Sequence, residues 1–327
     1  MKKFSIIIGT YNYGRFIEEA VDSVLAQDFP LKDVELIVVD DGSTDDTEQR
    51  LARYGKALKY LFQQNSGQGA AFNAGLKEAS GEFVCFLDAD DTWKPEKLRL
   101  TTEAFAEAED IGMVQHFMMD VSPEGKPLTQ QFGERLKFYS LEDLLAGRAA
   151  FTGTSGLAFR RSFLEKVLPV PKGLFYCADE YLYLNILFHS RVRSLNTVLG
   201  FKKIHGDNWF AGTMGDTRRL GNYVKVKSLI LEDFRRQLDR RGLSMDGSPM
   251  PLPLELAKAR VLYHSRRGER RLALKVIWAD VLFGGTPGRR LFNAASLAVS
   301  AVSPALYLRL HAAYSALLSA LRRNSRT

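Results

Sequence analysis

The chain is poor in cysteine, with two in 327 residues, Cys85 and Cys177. Two thiols cannot build a disulfide framework, and no Cys-x-x-Cys or Cys/His cluster offers a zinc site. A reducing compartment is the simpler expectation. Glycine and proline are modest at 26 and 11, alongside 46% apolar and 25% charged residues. That composition excludes collagen-like, low-complexity and disordered chains. Long apolar runs are scarce. The first, Phe4–Ile8, stops at Gly9-Thr10-Tyr11-Asn12 and is too short for a secretory signal, so a cytoplasmic protein is expected. Leu291–Leu308 holds 18 uncharged residues, but Asn293, Ser296, Ser300, Ser303 and Pro304 make it too polar and too broken for a clear span. No internal repeat is present.

Charge of one sign is also scarce, by region. The whole chain carries +7, yet residues 1–210 hold 24 Lys/Arg against 30 Asp/Glu, and residues 211–327 hold 21 against 8. An acidic two-thirds followed by a strongly basic third points to a polyanionic partner, a membrane face or a nucleic acid.

What is present in the first 125 residues is alternation. Short apolar, β-branched runs (Phe4–Ile8, Glu35–Val39, Leu58–Phe62, Phe83–Leu87) are predicted strands. Between and after them Phe16–Leu25, Thr47–Tyr54, Gly69–Ala79 and Pro95–Ala108 carry helical spacing. Apolar strands alternating with helices predict a mostly parallel sheet flanked by helices. Ligands of such sheets bind at the carboxyl ends of the strands. There the sequence places Gly9-Thr10-Tyr11-Asn12, Asp40-Asp41-Gly42-Ser43, Gln63-Gln64-Asn65-Ser66-Gly67 and Asp88-Ala89-Asp90-Asp91. Helix caps need one polar residue per end, not three or four.

Three carboxylates within Asp88–Asp91 repel unless protons or a cation relieve them. Such hard oxygen ligands suit Mg²⁺ or Mn²⁺ bridged to phosphates. Asp40 or Asp41 could accept a nucleobase N–H, with Tyr11 stacked on the base, or could simply end a strand and cap a helix.

Three stretches together resemble glycosyltransferase family 2: Ser5–Asn12 (SIIIGTYN), Val38–Thr47 (VVDDGSTDDT) and Gln64–Asp91. The resemblance covers about residues 4–210. It implies an inverting nucleotide-sugar transferase of the GT-A fold over residues 1–212, with a nucleotide-binding half to about 125 and an acceptor half beyond. It also implies that the donor, expected to be a UDP-sugar, meets Thr10, Tyr11, Asp41, Asn65, Gly67, Asn73, Asp88 and Ala89. Asp90 is the expected metal ligand, and His205 is a candidate for a second. The family's catalytic base is usually the Asp of a Glu-Asp pair; Asp179 matches, followed by Leu182 and Leu184. Ala178 stands where Glu is usual, and Glu180 is a competitor. Phe72 departs from the Arg that often precedes the Asn of the third motif. Trp209, Phe175 and Tyr176 could form an acceptor platform or pack in the core.

From about 213 the chain is expected to be a helical extension, with Ser248–Glu255 a stiff connector rich in proline. Leu306, Leu310, Tyr314, Leu317, Leu318 and Leu321 share one helical face, flanked by arginines, as in a helix lying on an anionic membrane surface. Five Arg pairs invite a nucleic-acid reading, but no motif accompanies them and no nucleic acid is expected. The expected function is transfer of a sugar to a glycan or lipid-linked acceptor in cell-envelope or polysaccharide synthesis, peripheral to the inner membrane face. The alternatives are a non-catalytic nucleotide-sugar binding module and a basic membrane or nucleic-acid adaptor.

Overall fold

Phe-Ser-Ile-Ile-Ile-Gly-Thr forms strand β1 (Phe4–Thr10), buried throughout except at Gly9. Its branched side chains pack on both faces of a pleat, which suits an interior position. β2 (Val34–Asp40), β3 (Lys59–Phe62) and β4 (Phe83–Asp88) run parallel to it in the order β3-β2-β1-β4. The predicted strands therefore form within two residues of their expected ends. Helices α1 (Gly14–Leu25), α2 (Thr47–Ala52), α3 (Gln68–Glu78) and α4 (Lys97–Ala106) follow them. α1 turns Ile17, Ala20, Val21 and Val24 inward, one stripe at helical spacing. Phe83 stacks on Phe105 at 4.2 Å and Phe72 on Phe86 at 4.0 Å, which ties α4 and α3 to β4.

This computed structural model describes residues 2–128, 130, 132–206, 208, 213–245, 250–281, 287–307 and 309. The chain divides into two units, Met1–Leu144 with Arg148–Asn208, and Leu145–Gly147 with Trp209–Thr327.

Beyond β4 the first unit changes character, which helical and strand spacing did not foretell. β5 (Asp91–Trp93) is a short strand just before α4. β6 (Ile111–Val121), β7 (Phe138–Tyr139), β8 (Leu157–Arg160) and β9 (Arg191–Lys203) complete the sheet. Its order continues β4-β8-β6-β9-β5, with β7 on β9. β8 is antiparallel to β4, with Cys85 opposite Ala158, so the residues just before β8 arrive beside the carboxyl end of β4. β5 is antiparallel to β9, with Asp91 opposite Lys202, so the residues just after β9 arrive beside Asp90. Short helices α5 (Leu141–Leu145) and α6 (Arg161–Leu164) precede α7 (Ala178–Ile186).

The second unit is helical: α8 (Thr217–Asp239), α9 (Pro251–Arg266), α10 (Arg270–Val276) and α11 (Pro287–Val302). Asp216 caps α8 by accepting from Arg219 N at 2.7 Å. Ala257, Val261, Ala273, Val276, Ile277, Leu297 and Ala301 form its core. The proline-rich connector is corrected here. Pro251 and Pro253 open α9 instead of extending the chain, because the first-turn N–H groups that proline lacks have no helical partner anyway. Residues 282–286 lie outside the described residues and α11 begins at Pro287. Most of the expected amphipathic face, from 310 onward, also lies outside them. Among the described residues no helix is long and apolar enough to cross a membrane.

Candidate active site

The four strand ends of β1 to β4 do converge, but they do so partly by bonding one another. Asp40 is buried and accepts from Ser43 N at 2.7 Å and from the Tyr60 hydroxyl at 2.9 Å. Asp41 is 5% exposed. Its Oδ1 accepts from Gln63 Nε2 at 2.7 Å and Ser66 N at 2.9 Å, and its Oδ2 from Gly67 N at 2.7 Å. The pair therefore ties the β2 end to the loops after β2 and β3. Tyr11 is 46% exposed beside this rim, while the Thr10 hydroxyl is buried with no partner among the described residues. Asn65 is exposed. Asn73 stands apart from the rim atoms: its amide bonds the backbone of Val170 in both directions at 2.9 Å.

The β3–α3 loop also anchors the segment before α7. Gln68 N and Gly69 N donate to the carbonyls of Phe175 and Leu174, both at 2.9 Å, and Gln68 Oε1 accepts from Ala178 N at 2.9 Å. Gly67 has φ +88°, ψ 169°, and a Cβ there would lie 2.5 Å from Phe175 Cα. Glycine is thus required twice at this position, for its backbone angle and for close approach. Phe175 is exposed and Tyr176 buried, so the expected aromatic platform is split; Trp209 lies outside the described residues.

This anchoring brings α7 to the rim. Cys177, in the left-handed region at φ 58°, is the cap position and Asp179 lies inside the first turn. Its Oδ1 accepts from Glu180 N at 2.9 Å and its Oδ2 from the Thr154 hydroxyl at 3.2 Å. A helix N-terminus favours a carboxylate.

Around Asp88 the carboxylates crowd. Burial, then the charges of Asp90 and Asp179, push the Asp88 carboxyl up to about 7. Burial, then Asp88 and Asp90, hold Asp91 well above the usual range. Ser155 relieves part of this. Its hydroxyl accepts from Asp88 N at 3.0 Å and donates to Asp91 Oδ2 at 2.6 Å, while its carbonyl accepts from Trp93 Nε1 at 2.7 Å. Asp90 Oδ2 meets His205 Nε2 and Asn208 Nδ2, each at 3.0 Å. His205 stacks on Phe16 at 4.4 Å, which fixes the ring. Ala89, between the carboxylates, is buried.

The donor set fits a hard divalent cation. Asp90 and His205 stand together beside a carboxylate cluster that the charge of Lys202 offsets only in part, since Asp88 and Asp91 remain raised, and such a cluster favours a bound cation. Among the described residues no three His, Cys, Asp or Glu side chains form a closed metal cage. Two protein donors with room for ligand oxygens is the arrangement that suits a metal shared with phosphates.

Four positions escaped motif reading: Gln68, Thr154, Ser155 and Asn208. Gln68 lies within Gln64–Asp91, the other three in no motif named above, and what marks each is a partner distant in sequence.

The sequence profile of glycosyl transferase family 2 matches residues 5–168. The chain belongs to glycosyl transferase family 2. An uncharacterised glycosyltransferase of Nostoc sp. is 39% identical over 217 residues, 63% of this chain and 66% of that protein. The poly(ribitol-phosphate) beta-N-acetylglucosaminyltransferase TarS of Staphylococcus aureus is 38% identical over 131 residues, 39% of this chain and 23% of that protein. The chain thus aligns to less than two thirds of these relatives' length. In structure, S. aureus TarS 1–349 bound to UDP superposes with TM-score 0.55 at 22% identity, covering 90% of each chain. The mannosyltransferase PcManGT of Pyrobaculum calidifontis, bound to GDP-Man and Mn²⁺, superposes with TM-score 0.58 at 21% identity, covering 98% of this chain and 86% of that one. The family 2 chain therefore has the GT-A fold, a curled α/β sheet with helices and further helices after it.

Proposed function

We propose that this family 2 chain is an inverting transferase that moves a hexose from a nucleoside diphosphate, with UDP the favoured nucleotide, to an acceptor hydroxyl. The observation that carries the proposal is the meeting of Asp88, Asp90 and Asp179. Asp88 and Asp179, 91 positions apart in sequence, stand close enough for their charges to act on one another.

In this reading Tyr11, Thr10 and Asn65 border the nucleobase and ribose, with Asp41 at the floor and Gly67, bonded to Asp41, fixing the loop beside it. Asp88 orients the ribose or the metal, and Ala89 keeps the wall small. Asp90 and His205 would hold Mg²⁺ or Mn²⁺, whose charge offsets that of the donor's diphosphate. Asp179 takes the proton from the acceptor hydroxyl as its oxygen attacks the anomeric carbon. The bond to the diphosphate breaks on the opposite face, so configuration inverts. Thr154 donates to Asp179 Oδ2 and leaves that carboxylate aligned for the acceptor. TarS acts, by its name, on poly(ribitol-phosphate). That likeness, with the basic second unit, favours a cell-envelope glycan or lipid-linked acceptor used at the cytoplasmic face of an anionic membrane.

The test is transfer from a panel of UDP-hexoses by Asp179→Asn. Loss of about 10²–10⁴-fold in turnover with UDP binding retained is expected of a general base. Undiminished turnover would remove Asp179 from that role. UDP binding without turnover by the wild-type chain, over a broad acceptor panel, would make it a binding module instead.

A further inference from the structure

A cavity of about 990 Å³ opens beside Asp88 and Thr154 and extends to the segment around Arg135. Its volume lies in the range of small-molecule sites. Its cations differ in their company. Lys137 pairs with Glu107 at 3.0 Å, Arg148 is held by Asp143 at 2.7 Å, and the charge of Lys202 acts on Asp88 and Asp91. Arg135 has no such partner: no carboxylate of the described residues lies within salt-bridge distance, and its Nη1 is buried without a hydrogen bond among them. The carboxylates Asp120 and Glu134 also line the cavity, yet neither pairs with it.

Arg135 is nonetheless held in place. Its guanidinium lies over the Phe117 ring at 4.6 Å. Its backbone is clamped by Asn196, which accepts from Arg135 N at 3.2 Å and donates to Arg135 O at 3.0 Å. A guanidinium stays charged in any protein environment and costs free energy when withdrawn from water without a counter-charge. Nη1 is closed to the cavity, which leaves the Nε–Nη2 edge as the fork a ligand can reach, and such a fork is matched by a two-oxygen anion.

We propose that this cavity is the acceptor subsite and that it takes a phosphate-bearing acceptor, with the phosphate on Arg135 and the reacting hydroxyl toward Thr154 and Asp179. The assignment rests on the transferase reading above and adds the acceptor's charge class to it.

Glycerol 3-phosphate serves as the probe, with glycerol and glycerate as controls, titrated into the full chain held in saturating UDP and Mn²⁺. UDP occupies the donor site, so the probe reports a second anion site. Saturable glycerol 3-phosphate binding is expected, with glycerol and glycerate both weaker. Arg135→Gln should weaken the probe about tenfold or more, as for a charge-assisted contact, and Arg135→Lys less. UDP affinity, measured in the same variants, should be unchanged and shows that they are folded. Absent probe binding, equal binding of glycerol or glycerate, or equal affinity in Arg135→Gln would each overturn the proposal while UDP binding keeps the donor reading. Arg135-dependent probe binding in a chain that ignores UDP would support the anion site and overturn the donor reading.

Discussion

Gly67 joins the β3–α3 loop to the segment that carries Asp179, and Gly67→Ala tests that join quantitatively. At φ +88°, ψ 169° the backbone lies in a region open essentially to glycine alone, which costs an alanine about 1–3 kcal/mol. The new Cβ would also lie 2.5 Å from Phe175 Cα, 2.7 Å from Phe175 Cδ1 and 3.1 Å from Phe175 Cβ. The first of these is backbone and cannot swing aside, so overpacking adds about 1–3 kcal/mol. The expected loss is therefore about 2–6 kcal/mol. Gly125→Ala supplies the control: φ is +78°, but nothing lies within 4 Å of its Cβ, so it reports backbone strain alone, about 1–2 kcal/mol. Urea unfolding at unchanged slope measures both. Since Gln68 and Gly69 hold Leu174 and Phe175, any relief of the clash moves the start of α7, so Gly67→Ala should also lower turnover where Gly125→Ala does not. Equal destabilisation by the two variants would refute the contact argument, and normal turnover in a folded Gly67→Ala would refute the mechanical link.

Ser155→Ala removes the acceptor for Asp88 N and the donor to Asp91, so about 1–3 kcal/mol of stability should be lost, read from the same urea curves; no loss would show that water replaces the hydroxyl. His116 gives a pH signature. Burial, helped by the charge of Lys97, lowers it to about 3 from 6.5, so the folded chain keeps it neutral. Below about 6.5 the unfolded chain takes up a proton that the folded chain refuses, and stability falls with pH until about 3. The expected loss from pH 7 to pH 5 is roughly 2 kcal/mol. His116→Phe should flatten the profile by that amount, and an unchanged slope would rule out this source.

The first half of the sheet was readable because interior parallel strands are continuous apolar runs and their helices keep a 3.6 period. The second half was not, because β5, β7 and β8 are two to four residues long, too short for a period to register. Pro251 and Pro253 misled for a related reason: proline marks both an extended chain and a helix start, and only the following turns decide. At the site, residue types and strand ends put Asp88 and Asp90 at the carboxyl end of β4, while only the family resemblance pointed to His205. Neither foretold that both Asp41 oxygens bind the loop after β3, or that Asn73 clasps Val170. Ser155 reaches Asp88 through the antiparallel pairing of β8 with β4, a relation between distant segments that spacing along one chain cannot carry.

The central claim is that the strand ends of β1 to β4 and the Asp88–Asp91 turn bind a nucleoside diphosphate through a divalent cation. Calorimetric titration of UDP into the wild-type chain and Asp90→Asn, with and without Mn²⁺, tests it most directly. The account predicts Mn²⁺-dependent UDP binding to the wild type and loss of that dependence in a folded Asp90→Asn. UDP binding indifferent to both Mn²⁺ and Asp90, or no UDP binding at all, would contradict it.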